Sequence, residues 1–525
     1  MVGFSTGCAR RATPVEDGIR TKTLLLGNGA EPRDLDPEIC NAFTDYNILI
    51  ALYEGLTCID EKTSQAVPGT AESWDVSPDG LVYTFHLRAN ARWSNGDPVT
   101  ADDFAYSFHR ILSPGLGSEY AYMLYFLKNA EAFNDGKIAD FSQVGVKVLD
   151  PRTLQLVLEH PCPFLPAVAA HQAWYPVHRA TIEKFGKMDQ QGTRWTRPGN
   201  IVSNGPFLLQ EWSQNARIVV VKNPFYWDAA HNRLNAVVFY PNDDIATDES
   251  NFRTGQVHVT YDLLPDRIAR YRRESPQLLR IDPFCETFFL RFNVTRPPLN
   301  DVRVRQALAR AIDRVAITRD VLYGSRSPAN ALVPPDTAGY TSQAKVPTDF
   351  DSARRLLAAA GFPGGKNFPV LEIQNKNDTT WRAILEAIQE MWKRELGIRV
   401  QIASLEQKTW LANWQTLNYQ ISSARWVGDY DDPTTFLYMF KSDSGNNETG
   451  WANPDYDRLN DEADRALDPA RRDALMQQAE ALLLDQAPIA PVYYGTRTYL
   501  IQPAVNGWVP SLLGIHRYQY IDLEK

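Results

Sequence analysis

Two periodicities of apolar residues divide this chain. "LVYTFHLR" alternates strictly, with Tyr83, Phe85 and Leu87 on one face, as a half-buried strand requires. "TKTLLLGNG" reads as an earlier strand ending in a turn, and "ARIVVVKN" and "LNAVVFYP" as further extended segments. After the turn "SNGDP" the period lengthens, with Phe104, Phe108 and Ile111 at helical spacing. Thr100 caps that helix, Asp103 stands at the capping-box position, and Asp102 suits the positive helix end. "NDVRVRQALARAIDR" is an amphipathic helix with Val304, Leu308, Ala311 and Ile312 inward and Arg303, Arg310 and Arg314 outward. Asp351 opens another helix, which Gly361 and Pro363 close. "FPVLEIQ" is a strand, followed by a helix carrying Ile384, Ile388, Met391 and Trp392. Gly397 stops that helix before the strand "IRVQIAS". Strand, helix and strand in this order predict a βαβ unit and some parallel sheet, hence an α/β class.

At 525 residues the chain is long enough for about three or four compact units. The formal charge of −9 argues against nucleic acid as a partner, because phosphate binding needs a basic face. No apolar run approaches the ~20 residues of a membrane helix. With 13 Trp, 23 Tyr and 23 Phe, large aromatic surfaces must lie in a core or a cavity. Cys40, Cys58, Cys162 and Cys285 show no metal-ligand spacing, and either paired or buried free thiols satisfy their positions. There is no G-x-S-x-G or H-E-x-x-H, and "GFPGGKN" lacks the spacing and the Ser/Thr of a P-loop. His86 and His109 read as packing histidines within the strand and helix that hold them.

The acids of "RWVGDYDDPTTF" carry the candidate chemistry. Pro433 suits a first helical turn, which makes Asp432 the N-cap and Asp431 a neighbour of the positive helix end. Asp429 is then the one acid without a structural role. A metal site needs more oxygen ligands, and "DYDDP" lacks the glycine-turned loop of a calcium hand. A secreted carbohydrase would need a second acid across a cleft, and none is identified to partner Asp429.

Several stretches, in order along nearly the whole chain, resemble the peptide-binding class of extracellular solute-binding proteins, the receptors of peptide ABC importers. The most specific is "PGTAESWDVSPDGLVYTFHLRANARWSNGDPVTADDFAYSFHR" at 68–110. It is supported by "LDP" at 35–37, "YEGL" at 53–56, "SNGPFLLQEW" at 203–212, "NPFYWD" at 223–228 and "RPPLNDVRVRQALARAIDR" at 296–314. "AGFPGGKNFP" at 360–369 and "APIAPVYYG" at 487–495 complete the set. The resemblance is greatest to the oligopeptide binders. It implies a periplasmic-binding-protein-like fold of two hinged lobes and three domains. Domain I is discontinuous (24–54, 178–283 and 496–525), domain II is 55–177, and domain III is 284–495. It implies a monomer without cofactor or metal that captures peptides and hands them to permease subunits. An alternative is a receptor of the same fold for another small ligand or a signalling peptide.

In this class an aspartate in W-x-x-D-Y holds the peptide's α-ammonium, and "WVGDY" places Asp429 there. Carried-over contacts are Tyr120, Tyr261, Asp262, Arg425, Trp426, Val427, and Tyr493 or Tyr494. The chain also departs from the pattern. Asn41, followed by Phe43, stands where an acid often follows "LDP", and Arg291 stands where the nearest relatives carry an acid. Gln407 and Trp414 replace an aromatic and a basic pocket residue. The amine anchor is therefore kept while side-chain pockets and carboxylate contacts change. "MVGFSTGCARRATPVEDG" resembles the end of a bacterial lipoprotein signal, with Cys8 as the lipidated residue and 1–23 as tail and linker. The seven residues before Cys8 are too few for the whole signal. Periplasm or bacterial cell surface is the implied location.

Overall fold

In the computed structural model, which describes residues 12–524, the alternating segment forms strand Val82–Leu87 with Tyr83, Phe85 and Leu87 buried. It lies in an antiparallel sheet ordered Ala71–Val76, Val82–Leu87, Thr153–Val157, Val146–Asp150. The helix Ala101–Leu112 packs its Phe104, Phe108 and Ile111 into the same core. Asp103 accepts from the Thr100 amide at 2.8 Å, closing the capping box. His109 stacks on Phe141 at 4.3 Å, and His86 pairs with Asp75 at 2.8 Å.

A second four-stranded sheet sets Thr23–Gly27 parallel to Ala236–Tyr240, followed by Arg217–Lys222 and Phe207–Ser213 antiparallel. The third sheet is mixed and six-stranded, ordered Ser327–Pro328, Ile489–Leu500, Leu279–Phe292, Ile421–Val427, Leu371–Lys376, Val400–Leu405. Leu371–Lys376 and Val400–Leu405 are parallel and joined by helix Thr379–Leu396, which is the expected βαβ unit. Gly397 ends that helix at φ 69°, a left-handed cap that glycine adopts without steric cost.

The long strands Leu279–Phe292 and Ile489–Leu500 run on past the six-stranded sheet, pairing Leu279 with Leu500. Val259 bridges Ile501 on one side and Leu26 of the N-terminal sheet on the other. This two-stranded ribbon therefore joins the two sheets, and its ladder breaks between Pro283 and Thr287.

Two local readings are corrected, and the state of the cysteines is decided. The helix with Val304 and Leu308 stops at Arg310, and Asp313 caps a new turn by accepting from Ala316 N at 3.0 Å. Arg314 thus leaves the outward stripe and is buried, donating to the carbonyls of Pro491, Ile312 and Ala309 at 2.8–3.1 Å. Asp349, not Asp351, caps helix Phe350–Ala359, while Asp351 pairs with Arg354. The four described cysteines are free; Cys40, Cys162 and Cys285 sit in three separate cores and cannot meet. Cys8 lies outside the described residues.

Candidate functional site

Strand Ile421–Val427 turns alternate side chains to opposite faces, so Arg425 and Val427 face a cavity of about 730 Å³. Trp426 points the other way, donating Nε1–H to the Thr435 carbonyl at 2.7 Å and packing against the large core. At Gly428 the backbone amide donates to the Cys285 carbonyl at 2.7 Å. A Cβ there would stand 2.7 Å from Cys285 Sγ, so the close approach requires glycine. The chain then leaves the sheet and presents Asp429 to the cavity.

Neighbours on both sides pin this turn. Tyr430 stacks on Phe164 of the antiparallel-sheet unit, with centroids 5.5 Å apart and 10° between planes. Asp431 accepts from the Ala338 amide at 2.7 Å. Its Oδ2 is buried without a hydrogen-bond partner, and burial pushes the carboxyl up to about 7. Asp432 accepts from Thr434 N at 3.0 Å and receives two bonds of 2.8 Å from Arg472. The N-cap role expected of Asp432 is corrected: Pro433 stands at the N-cap of helix Thr434–Leu437, and the main partner of Asp432 is a distant arginine. The role expected of Asp431 is corrected, because helix Thr434–Leu437 spans one turn and the carboxylate is spent on the 338 loop.

Asp429 differs from both. Its Oδ2 accepts from Tyr122 OH at 3.1 Å, and its amide donates to Thr435 Oγ1 at 3.1 Å. Among the described residues no Lys, Arg or His nitrogen lies within 4 Å of it. Loss of water pushes its carboxyl up to about 6, with the Tyr122 hydroxyl pulling the other way. It is a carboxylate in a cavity wall without a cation.

All three cores contribute walls. Asn41 and Phe43 line the cavity from the N-terminal segment, and Tyr120 and His171 from the antiparallel-sheet unit. His171 meets Tyr120 edge-on at 4.8 Å, and burial holds its imidazole down to about 3, so it stays neutral. Tyr261 and Asp262 complete the predicted set that the fold brings together with Arg425, Val427 and Asp429, and Gln407 joins them. The remaining predicted contacts lie elsewhere and are corrected. Arg291 is buried in an ion pair with Glu448, its guanidinium 4.3 Å from the Trp414 ring. Tyr493 stacks on Phe288 at 4.9 Å, and Tyr494 accepts from Ala331 N at 3.2 Å. These residues sit farther along the ribbon from the cavity end, at positions pairing with Ile489, Phe288 and Thr287.

Sequence reasoning missed Tyr122, Glu286, Arg326 and Arg497. The first was legible, since "YAY" repeats an aromatic two residues after Tyr120. The others come from distant stretches of the chain that meet only on folding. Glu286 pairs with Arg425 at 3.3 Å, and Arg326 donates to Thr496 Oγ1 at 2.8 Å. No group of three or more potential metal ligands occurs among the described residues. The arrangement can bind and enclose a ligand that carries a cation.

A family model described as "Bacterial extracellular solute-binding proteins, family 5 Middle" matches residues 65–448. The periplasmic oligopeptide-binding protein OppA of Salmonella typhimurium is 35% identical over 97% of this chain and 94% of its own length. The probable deoxycholate-binding periplasmic protein YgiS of Escherichia coli is also 35% identical, over 92% of this chain and 89% of its own. Among solved structures, the unliganded open form of the periplasmic murein tripeptide binding protein MppA superimposes with a TM-score of 0.83. It is 33% identical and is matched over 96% of this chain and 97% of that one.

Proposed function

The chain belongs to the bacterial extracellular solute-binding proteins, family 5, and from that premise we propose that it captures peptides in the cavity at Asp429 and delivers them to an ABC importer. It is a binding protein rather than an enzyme. The observation that carries the peptide reading is Asp429, a recessed carboxylate facing the cavity without a cation of its own. A peptide α-ammonium supplies that cation. The backbone groups of an extended chain can pair along the cavity, so affinity need not depend on side chains. Peptides co-purifying with the protein, seen by native mass spectrometry, are the expected result. A preparation that carries none and binds none overturns the reading. A steroid carboxylate such as deoxycholate has no ammonium to offer Asp429.

The relatives' periplasmic location extends to this chain under the same reading, with Cys8 as a lipid anchor. No helix among the described residues is long and apolar enough to cross a membrane. In the native host Cys8→Ser should move the protein from the membrane fraction to the soluble one. Equal partitioning of both forms refutes the anchor.

We further assign domain I to 24–54, 178–283 and 496–525, domain II to 55–177 and domain III to 284–495, working as a monomer. The hinge falls where the ribbon's ladder shifts register between Pro283 and Thr287, because an irregular ladder bends more readily than a continuous one. Saturating peptide should then reduce the radius of gyration in small-angle scattering.

Binding should also depend on pH with a definite sign. The ligand amine stays protonated below about 7.5, whereas Asp429, raised to about 6, loses its charge as pH falls through that value. Affinity is expected to be flat from about pH 6.5 to 7.5 and roughly tenfold weaker at pH 5, since each pH unit below the pKa removes about nine-tenths of the ionised form. Asp429→Asn should abolish this dependence in calorimetry.

A further inference from the structure

A second cavity, of about 500 Å³, lies between the antiparallel-sheet unit and the unit of the six-stranded sheet. Trp74 and Phe164 line it from the first, and Tyr340, Asp431, Arg472 and Asp473 from the second. Ala167 is the one residue common to its lining and that of the cavity at Asp429. The short segment after Gly428 serves both spaces. Asp429 stands in the wall of one cavity and Asp431 in the wall of the other, with Tyr430 between them in the chain, stacked on Phe164.

The charges of the second wall do not balance. Asp432 and Arg472 satisfy each other through two bonds of 2.8 Å. Asp431 is only 3% exposed; one of its oxygens holds the Ala338 amide, and Oδ2 is buried without a partner. The Asp473 side chain has neither an ion pair nor a hydrogen bond among the described residues. Two carboxylates are thus left without a cation around one space. A buried acceptor that makes no bond is costly, so Oδ2 calls for a donor from outside the chain.

The lining also selects the kind of cation. No group of three or more potential metal ligands occurs among the described residues, and a hard ion such as calcium takes about six to eight oxygens. Indole and phenol walls suit instead a cation with an apolar body. Aromatic rings attract an ammonium group, and a methylene stem covers apolar surface while its charged ends reach polar partners. Two unmatched negative charges fit a stem with an ammonium at each end.

We propose that this cavity is a second binding site, taking an aliphatic diammonium ion between Asp431 and Asp473, and that its occupation strengthens peptide capture. The two effects are tied because both cavities are walled by the same two units. A ligand that holds those units together at one cavity favours their approach at the other, and the coupling is reciprocal. The linkage rests on the peptide reading above, whereas the diammonium site does not.

The test is calorimetric titration of 1,4-diaminobutane into the full chain at pH 8 and fixed ionic strength, with a tripeptide pool at saturation so that Asp429 is occupied. Aliphatic amines, with a pKa of about 10.4, keep their protons there, and Asp431, raised by burial to about 7, has lost its own. One diamine should bind per chain. Asp431→Asn, which keeps an oxygen for the Ala338 amide, should weaken it at least about tenfold, and Asp473→Asn at least about threefold. The second substitution removes no contact to the described residues, so it tests the site even if the first disturbs folding. n-Butylammonium should bind at least about tenfold more weakly than the diamine. Saturating diamine should in turn raise peptide affinity about fivefold in wild type and leave Asp431→Asn unchanged. Absent diamine binding, binding that survives both substitutions, or equal displacement by magnesium chloride overturns the site. Peptide affinity that the bound diamine leaves unchanged or lowers overturns the linkage alone. If the tripeptide pool does not bind, the same three proteins are titrated without it, which judges the site separately from the peptide reading.

Discussion

Replacing Asp429 by alanine is expected to weaken peptide binding by about two to three decades. An ammonium drawn into the cavity loses its water, and the wild-type site substitutes a carboxylate already in place at the end of strand Ile421–Val427. Removing one partner of such a buried pair costs roughly 3–5 kcal/mol, because the other charge is left unmatched. Each ~1.4 kcal/mol is a factor of ten. N-acetylating the peptide should damage wild-type binding to a similar degree yet add little in the variant, so calorimetry on the four combinations isolates the pair. Undiminished binding of acetylated peptide by wild type would mean that Asp429 holds no amine. Tyr122→Phe removes only the hydroxyl's hydrogen bond to the Oδ2 carboxylate oxygen and should cost roughly tenfold, about 1.5 kcal/mol.

Ligand-free protein should respond in the opposite sense. The fold raises the Asp429 pKa, so it disfavours the charged form. The resulting penalty is absent below the unfolded value near 3.9 and fully present above about 6. Asp429→Asn should therefore stabilise the empty protein at pH 8 and make no difference at pH 3.5 in thermal unfolding. The same substitution that ruins binding should improve folding, the mark of a charge held for a ligand.

Asp432→Ala should be the most damaging change to stability in this segment, by about 3–5 kcal/mol. Arg472 reaches Asp432 through both terminal nitrogens, its Nε–H has no acceptor, and its guanidinium lies 4.9 Å from the Phe164 ring centroid. Without Asp432 a buried cation remains, with Asp464 as the nearby acid that also feels its charge. Substituting both residues, Asp432→Ala with Arg472→Met, should recover most of the loss, because the pair's worth is mainly the penalty of breaking it on one side. Urea midpoints of the two single variants and the double variant measure this. A double variant as unstable as Asp432→Ala would show that Asp432 acts through the Thr434 amide instead.

Where local spacing carries the information, the sequence was legible. The alternation of Tyr83, Phe85 and Leu87, the box of Thr100 with Asp103, and the stop at Gly397 each depend on atoms within a few residues of one another. The Arg314 expectation failed because a helical stripe carries no mark of where tertiary packing ends the helix. "WVGDY" pointed to Asp429, but placing Trp426 in the cavity ignored the strand's own alternation, which turns it to the core.

The sequence by itself determined the α/β class, the βαβ unit, the family resemblance and the residue to suspect, since these rest on short-range periodicity and on motifs read in order. Only the tertiary structure decided what surrounds that residue. Arg472 meets Asp432 across 40 positions, Tyr122 meets Asp429 across 307, and Arg497 reaches Tyr261 across 236. A carboxylate's chemistry is set by the charges and water within a few ångströms of it. Contacts between such distant positions leave no periodicity in the chain, so three acids that look alike in "DYDDP" became a ligand-facing charge, a backbone acceptor and half of a buried ion pair only on folding.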